Sequence, residues 1–171
     1  MKKFITLNKY GELYIDKILF ETYFPIIFTC KNENNDIFIC VCCQCNENGC
    51  KWLVGRTNGS FIVRMLQNEI TIRQLLLDCC TEKISVDYKN QEYAIAYNNS
   101  DWNEESDYLP KKDAYIDAEG GEFDEEIAYF TSIEHVEYNE EYYKIIIKEL
   151  STIGNTIDPL LDSITALSSI I

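Results

Sequence analysis

Apolar-rich runs parted by short polar separators fill the first third of the chain: LYIDKILFE at 13–21, FPIIFTCK at 24–31, DIFICVCCQC at 36–45 and CKWLVGRT at 50–57. Each run has strand length and is rich in β-branched or aromatic residues. The separators are Thr22-Tyr23, NENN at 32–35 and NENG at 46–49, residues that tolerate the backbone angles of tight turns. The pattern predicts an antiparallel meander. Pro25 has no N–H to donate, which places it at a strand start or on an edge.

The period then changes. After Asn58-Gly59, Ser60 reads as the cap of a short helix over FIVRMLQN, and ITIRQLLLDCC at 70–80 repeats Ile72, Leu75, Leu76, Cys79 and Cys80 at helical spacing behind Thr71. KISVDYK and EYAIAYN, parted by Asn90-Gln91, return to a period of two and predict a further hairpin. Residues 100–126 are turn-rich and charged, with Pro110 and Gly120-Gly121 as breakers, and predict long exposed loops. From Glu125 helical spacing resumes through Ile127, Phe130 and Ile133; Asn139 caps EEYYKIIIKELSTI, and Asp158-Pro159 opens PLLDSITALSSII.

These elements predict one α+β domain over residues 1–171. It has an antiparallel sheet of five to seven strands, and helices near 60–80 and 139–170 pack against it. The last helix is apolar on several sides, through Leu160, Leu161, Ile164, Leu167, Ile170 and Ile171, so it is expected either to enter the core or to form a homodimer contact.

Charge changes the picture. Residues 1–90 carry eleven Lys or Arg against ten Asp or Glu, whereas residues 91–171 carry four against nineteen, so the formal charge of −14 resides in the second half. That field repels phosphates and anionic lipid, which argues against direct nucleic-acid or membrane binding and favours cationic partners. The opening residues lack an apolar run of signal length and no stretch approaches membrane-spanning length, so a cytoplasmic protein is expected.

Eight cysteines invite chemistry, five of them between positions 40 and 50. A reducing compartment disfavours disulfides. Zinc needs four ligands, usually as two short pairs; Cys42 and Cys45 supply one spacing and Cys50 lies across the turn, giving a zinc- or cysteine-dependent enzyme as the alternative reading. In a regular strand Cys40 and Cys42 face one way and Cys43 and Cys45 the other, which splits the cluster, and buried thiols that serve as small hydrophobes are the preferred account. His135 is the only histidine, and nucleophile elbows, phosphate-binding glycine loops and HExxH are absent. Counting from Asp117, the sixth position of an EF-hand loop holds Glu122 instead of Gly. No catalytic residue and no cofactor is assigned.

Between 99 and 141, fifteen Asp or Glu accompany two lysines, and aromatic residues are interleaved. Carboxylates that steer, together with aromatic anchors that bury area, suit docking on a basic protein surface, including one that normally holds nucleic acid. The candidate partner-binding residues are Asp101, Trp102, Glu104, Glu105, Asp107, Tyr108, Asp117, Glu119, Glu122, Phe123, Asp124, Glu125 and Glu126. The bland alternative is a solvated acidic face with core aromatics.

The run ILFETYFPIIFTCKNENNDIFICVC, followed by KWLVGRTN, EITIRQLLL and YLP, resembles small bacterial domains in which a Pro-containing strand pairs with a second strand before a Trp-Leu strand and short helices. The resemblance covers residues 13–110. It implies an intracellular α+β domain and carries no assigned activity. Heavy use of Asn, Ile, Lys and Tyr points to an AT-rich bacterial or phage coding sequence. The expected role is a non-enzymatic binder: an inhibitor, immunity or accessory protein of bacterial or phage conflict.

Overall fold

The computed structural model describes residues 2–116 and 120–133. Residues up to Thr131 belong to one compact unit. The helices expected over 139–170, and with them the homodimer contact, lie outside the described residues.

Seven strands follow one another in space as they do in sequence: β1 (Lys3–Leu7), β2 (Gly11–Glu21), β3 (Pro25–Lys31), β4 (Ile37–Asn46), β5 (Gly49–Thr57), β6 (Glu82–Lys89) and β7 (Glu92–Tyr97). Every neighbouring pair is antiparallel. This agrees with the expected sheet at its upper limit of strand number. The described chain is mostly β, with helices α1 (Gly59–Leu66) and α2 (Ile72–Asp78), a single 3-10 turn at Ser100–Trp102, and helical residues 124–133, here α3. No described helix is long and apolar enough to cross a membrane.

The sheet is rolled. On its inner face Ile5, Leu7, Leu13, Phe28, Cys30, Phe38, Cys40, Trp52, Val54, Ile84 and Val86 form one buried cluster. Phe4 of β1 stands edge-on to Phe28 on β3 at 5.0 Å and to Trp52 on β5 at 5.5 Å, contacts that a flat sheet would not permit. At the other end the β1–β2 turn reaches the start of β6, where Lys9 pairs with Glu82. Burying each such large apolar side chain contributes roughly 1.5–3 kcal/mol, which is what holds the roll.

The outer face carries the alternate residues, including Ile27, Thr29, Ile39, Val41 and Leu53, all buried. α2 lies on it: Ile72 shares a shallow depression with Ile27, Val41 and Leu109. Gly55 sits where this cover presses hardest. A Cβ there would stand 2.3 Å from the Cys80 sulfur and 3.3 Å from the Trp102 ring. Gly49 is required for a similar reason, since its φ is +136° and a Cβ would meet the Tyr88 carbonyl oxygen at 2.1 Å.

Several local expectations shift by a residue or two. The cap of α1 is Asn58, whose side chain accepts from the Phe61 N–H, and Ser60 lies inside the helix. Thr71 caps α2 as expected, in a reciprocal capping box with Gln74. Asn46 pairs with Gly49, so the β4–β5 turn is Glu47-Asn48. Pro25 opens β3, as its missing N–H requires. The short β1 had no counterpart among the expected elements.

Candidate functional site

The acidic segment is tied to the outer face at its start by Lys51. That ammonium lies 2.8 Å from Asp101 and 3.0 Å from Asp87, and 4.7 Å from the Tyr108 ring centre. Asn99 orders the turn, accepting from the Asp101 N–H and from the Ser85 hydroxyl. Burial alone would raise the Asp101 pKa; the bonds from Lys51 and Ser85 outweigh it and hold the carboxyl below its ordinary range.

Beside this anchor, Cys43, Gln44, Ser100, Asp101, Glu105, Ser106, Asp107 and Tyr108 line a groove of about 550 Å³. Glu105 and Asp107 are exposed in its lining and Glu104 is exposed next to them in the loop, and Arg73 donates to the Glu104 and Pro110 carbonyl oxygens, fastening this loop to α2. The loop has a built geometry with free carboxylates at its lip.

The second acidic group is anchored elsewhere. Tyr129 on α3 donates to Asp16 at 2.7 Å and accepts from Lys31 at 3.0 Å, while the Lys17 ammonium lies 4.5 Å from its ring. Lys31 pairs with Ile37 at the start of β4, whereas Lys51 pairs with Gln44 seven residues further on. At about 3.3 Å per residue the two anchors are roughly 20 Å apart. Glu122, Asp124 and Glu125 are exposed and Glu126 is half-buried at the start of α3.

Two of the expected aromatic anchors are not at the surface. Trp102 is buried against Gly55, and Phe123 is buried as well. They are core residues whose acid-rich neighbours in sequence disguise them. Tyr108 is half-buried over Lys51 and lines the groove, so it alone of the three is positioned to touch a partner. Asp117 and Glu119 lie outside the described residues. The sequence does not place Lys51, Gln44 or Cys43 beside the acidic loop, because only the strand register brings them there.

The cysteine hairpin departs from the expected geometry. A bulge at Cys43 separates the pairs Cys42↔Trp52 and Gln44↔Lys51, which reverses the facing of every later residue. Cys45 therefore falls opposite Cys50, at 4.1 Å between Cα atoms, and the two form a disulfide. The expectation of free thiols fails for this pair, and the zinc set Cys42, Cys45 and Cys50 is left with one thiol. Among the described residues no group of three or more His, Cys, Asp or Glu converges to hold a metal ion.

Burial disfavours the thiolate at five of the six remaining cysteines. Cys30 and Cys40 are buried side by side with sulfurs 3.8 Å apart, and burial pushes the Cys40 thiol well up. Burial also pushes Cys43 and Cys80 up to about 12, and raises Cys42 and Cys79. The three buried thiols, Cys30, Cys40 and Cys80, pack as core atoms. Compared with protein families, with curated proteins and with solved structures, the chain matches none, so its function is read from its own residues.

Proposed function

We propose that the protein is a non-enzymatic binding module that docks on a basic protein surface through the acidic loop at 101–108, in the role of an inhibitor, immunity or accessory protein of bacterial or phage conflict. One observation carries the reading. The ion pairs among the described residues engage Glu12, Asp16, Asp36, Glu69, Glu82, Asp87 and Asp101, whereas Glu105 and Asp107, which line the groove, and the adjacent Glu104 form none of them.

An arginine or lysine from a partner would meet Glu105 and Asp107 with its stem along Tyr108, and the held carboxylate of Asp101 would add to the local field. Clustered unpaired carboxylates repel one another, and a cationic partner relieves that repulsion on contact. The α3 carboxylates, some 20 Å away by strand spacing, would act as a steering field and not as part of the same contact. Affinity capture by the full chain, compared with a chain carrying Glu104→Lys, Glu105→Lys and Asp107→Lys, tests the reading.

A further inference from the structure

The sheet has an odd number of strands, and that has a geometric consequence. In a meander of seven antiparallel strands the first and last run in the same direction, so β1 and β7 cannot close the roll with another antiparallel pair. They nevertheless face each other. Lys2 and Phe4 line one cavity with Trp52, Tyr88 and Tyr93, about 380 Å³ in volume, at the end of the roll where β7 begins. At the other end Lys9 is bonded to Glu82, next to the pair Ile84↔Tyr97 where β7 finishes.

Among the described residues no strand pairs with the outer edge of β7, and that lip is apolar. The Asn98 N–H bonds the Lys83 carbonyl at 2.8 Å, and bonded and non-bonded positions alternate along an antiparallel pair. Ala96, Ala94 and Glu92 therefore turn their backbone groups to β6, and Tyr93, Ile95 and Tyr97 turn theirs outward. On the inner face the same three side chains continue the core: Ile95 packs against the buried cluster, while Tyr93 is 47% and Tyr97 38% exposed. β7 carries no proline, no bulge and no central charge, the devices that normally protect a sheet edge.

We propose that this seam is a strand-addition site, taking an extended segment of a partner polypeptide that runs antiparallel to β7 with apolar side chains at alternate positions. Such a strand is antiparallel to β1 as well and completes an eight-stranded antiparallel roll. Its backbone meets the outward groups of Tyr93, Ile95 and Tyr97, and its inward side chains cover Tyr93, Tyr97 and the mouth formed by Phe4 and Trp52. Its carboxy-terminal end falls beside Lys2, which has no carboxylate partner among the described residues, so an acidic residue is favoured there. A second copy of the chain is a poorer fit, since its β7 has one edge already bonded to β6 and cannot pair with β7 and β1 at once.

The test is residue-resolved amide exchange of the full chain, alone and with peptides selected from a displayed library of random peptides about twelve residues long. In the free chain the Tyr93, Ile95 and Tyr97 amides should exchange fast and those of Ala94 and Ala96 slowly. Selected peptides should alternate apolar and polar residues, slow those three amides, and bind roughly tenfold more weakly to Ile95→Pro, which loses an outward N–H while keeping the β6 ladder; because it also loses the Ile95 side chain from the core, circular dichroism checks that it is folded. Methylating alternate amide nitrogens of the peptide should have the same effect without altering the protein. Slow exchange at the three positions in the free monomer, failure to select any peptide, or equal binding by Ile95→Pro and by methylated peptides would overturn the proposal. So would exchange protection that arises only from self-association or from small apolar molecules.

Discussion

The ammonium of Lys51 stands 2.8 Å from the carboxylate of Asp101, fifty residues later in the chain, and this contact holds the acidic loop on the sheet. Both side chains are only 13% exposed, so the pair is shielded from the screening that makes surface ion pairs nearly worthless. Asp101→Asn should cost roughly 1.5–3 kcal/mol in urea denaturation, the range for hydrogen bonds to charged groups.

The pH dependence follows from the depressed folded-state pKa of Asp101. Its contribution is present above the unfolded value of about 3.9 and is lost as the pH falls through the folded value. The stability of the parent chain should therefore drop below about pH 4, and Asp101→Asn should flatten that slope. Lys51, whose pKa is raised on balance although burial opposes it, keeps its charge throughout this window. Urea midpoints across the acid range check both statements.

Gly55→Ala should destabilise by about 1–3 kcal/mol, because the new methyl meets the Cys80 sulfur and the Trp102 ring from a position on the central β5. Pairing it with Cys80→Ala should recover part of the loss. Trp102→Ala should cost roughly 3–5 kcal/mol, as expected for a core aromatic. An exposed docking anchor would instead leave stability within about 0.5 kcal/mol. Denaturation midpoints distinguish the two.

Asn58→Ala should cost about 1 kcal/mol, and Ser60→Ala much less, because only the Asn58 side chain takes up the Phe61 N–H. The two residues carry similar capping chemistry and are separated by Gly59 alone, so composition did not choose between them.

That small ambiguity typifies what the chain reveals unaided. Strands β2 to β7 were legible because each is a short run rich in β-branched or aromatic residues between turn residues with a mechanism, such as Asn90-Gln91, both of which adopt positive φ. β1 was not, because its apolar run is only five residues long and is flanked by lysines and polar residues. Within the candidate site the carboxylates could be read directly. The burial of Trp102 and Phe123 could not, since it depends on Gly55 and on other groups far away in sequence. The Cys45–Cys50 bond runs against a different expectation: the sequence puts Cys50 across the turn from Cys45, but a reducing compartment disfavours a disulfide there.

Chelation should leave the fold unchanged, and purified protein should contain no stoichiometric zinc, because two of the three candidate ligands are bonded to each other. The disulfide closes a short loop between strands already paired, so its reduction should cost at most about 2 kcal/mol without unfolding the chain. Metal analysis and circular dichroism with and without reductant check this. Near-stoichiometric zinc that returns after reduction would revive the enzyme reading.

The docking claim is tested most directly by quantitative affinity capture with the full chain at low and high salt, alongside the triple reversal Glu104→Lys, Glu105→Lys and Asp107→Lys. The account predicts a basic partner whose recovery falls as salt rises and is lost in the reversed chain, while circular dichroism shows that chain to be folded. Recovery of the same partner by parent and reversed chains alike, at either salt, would contradict it.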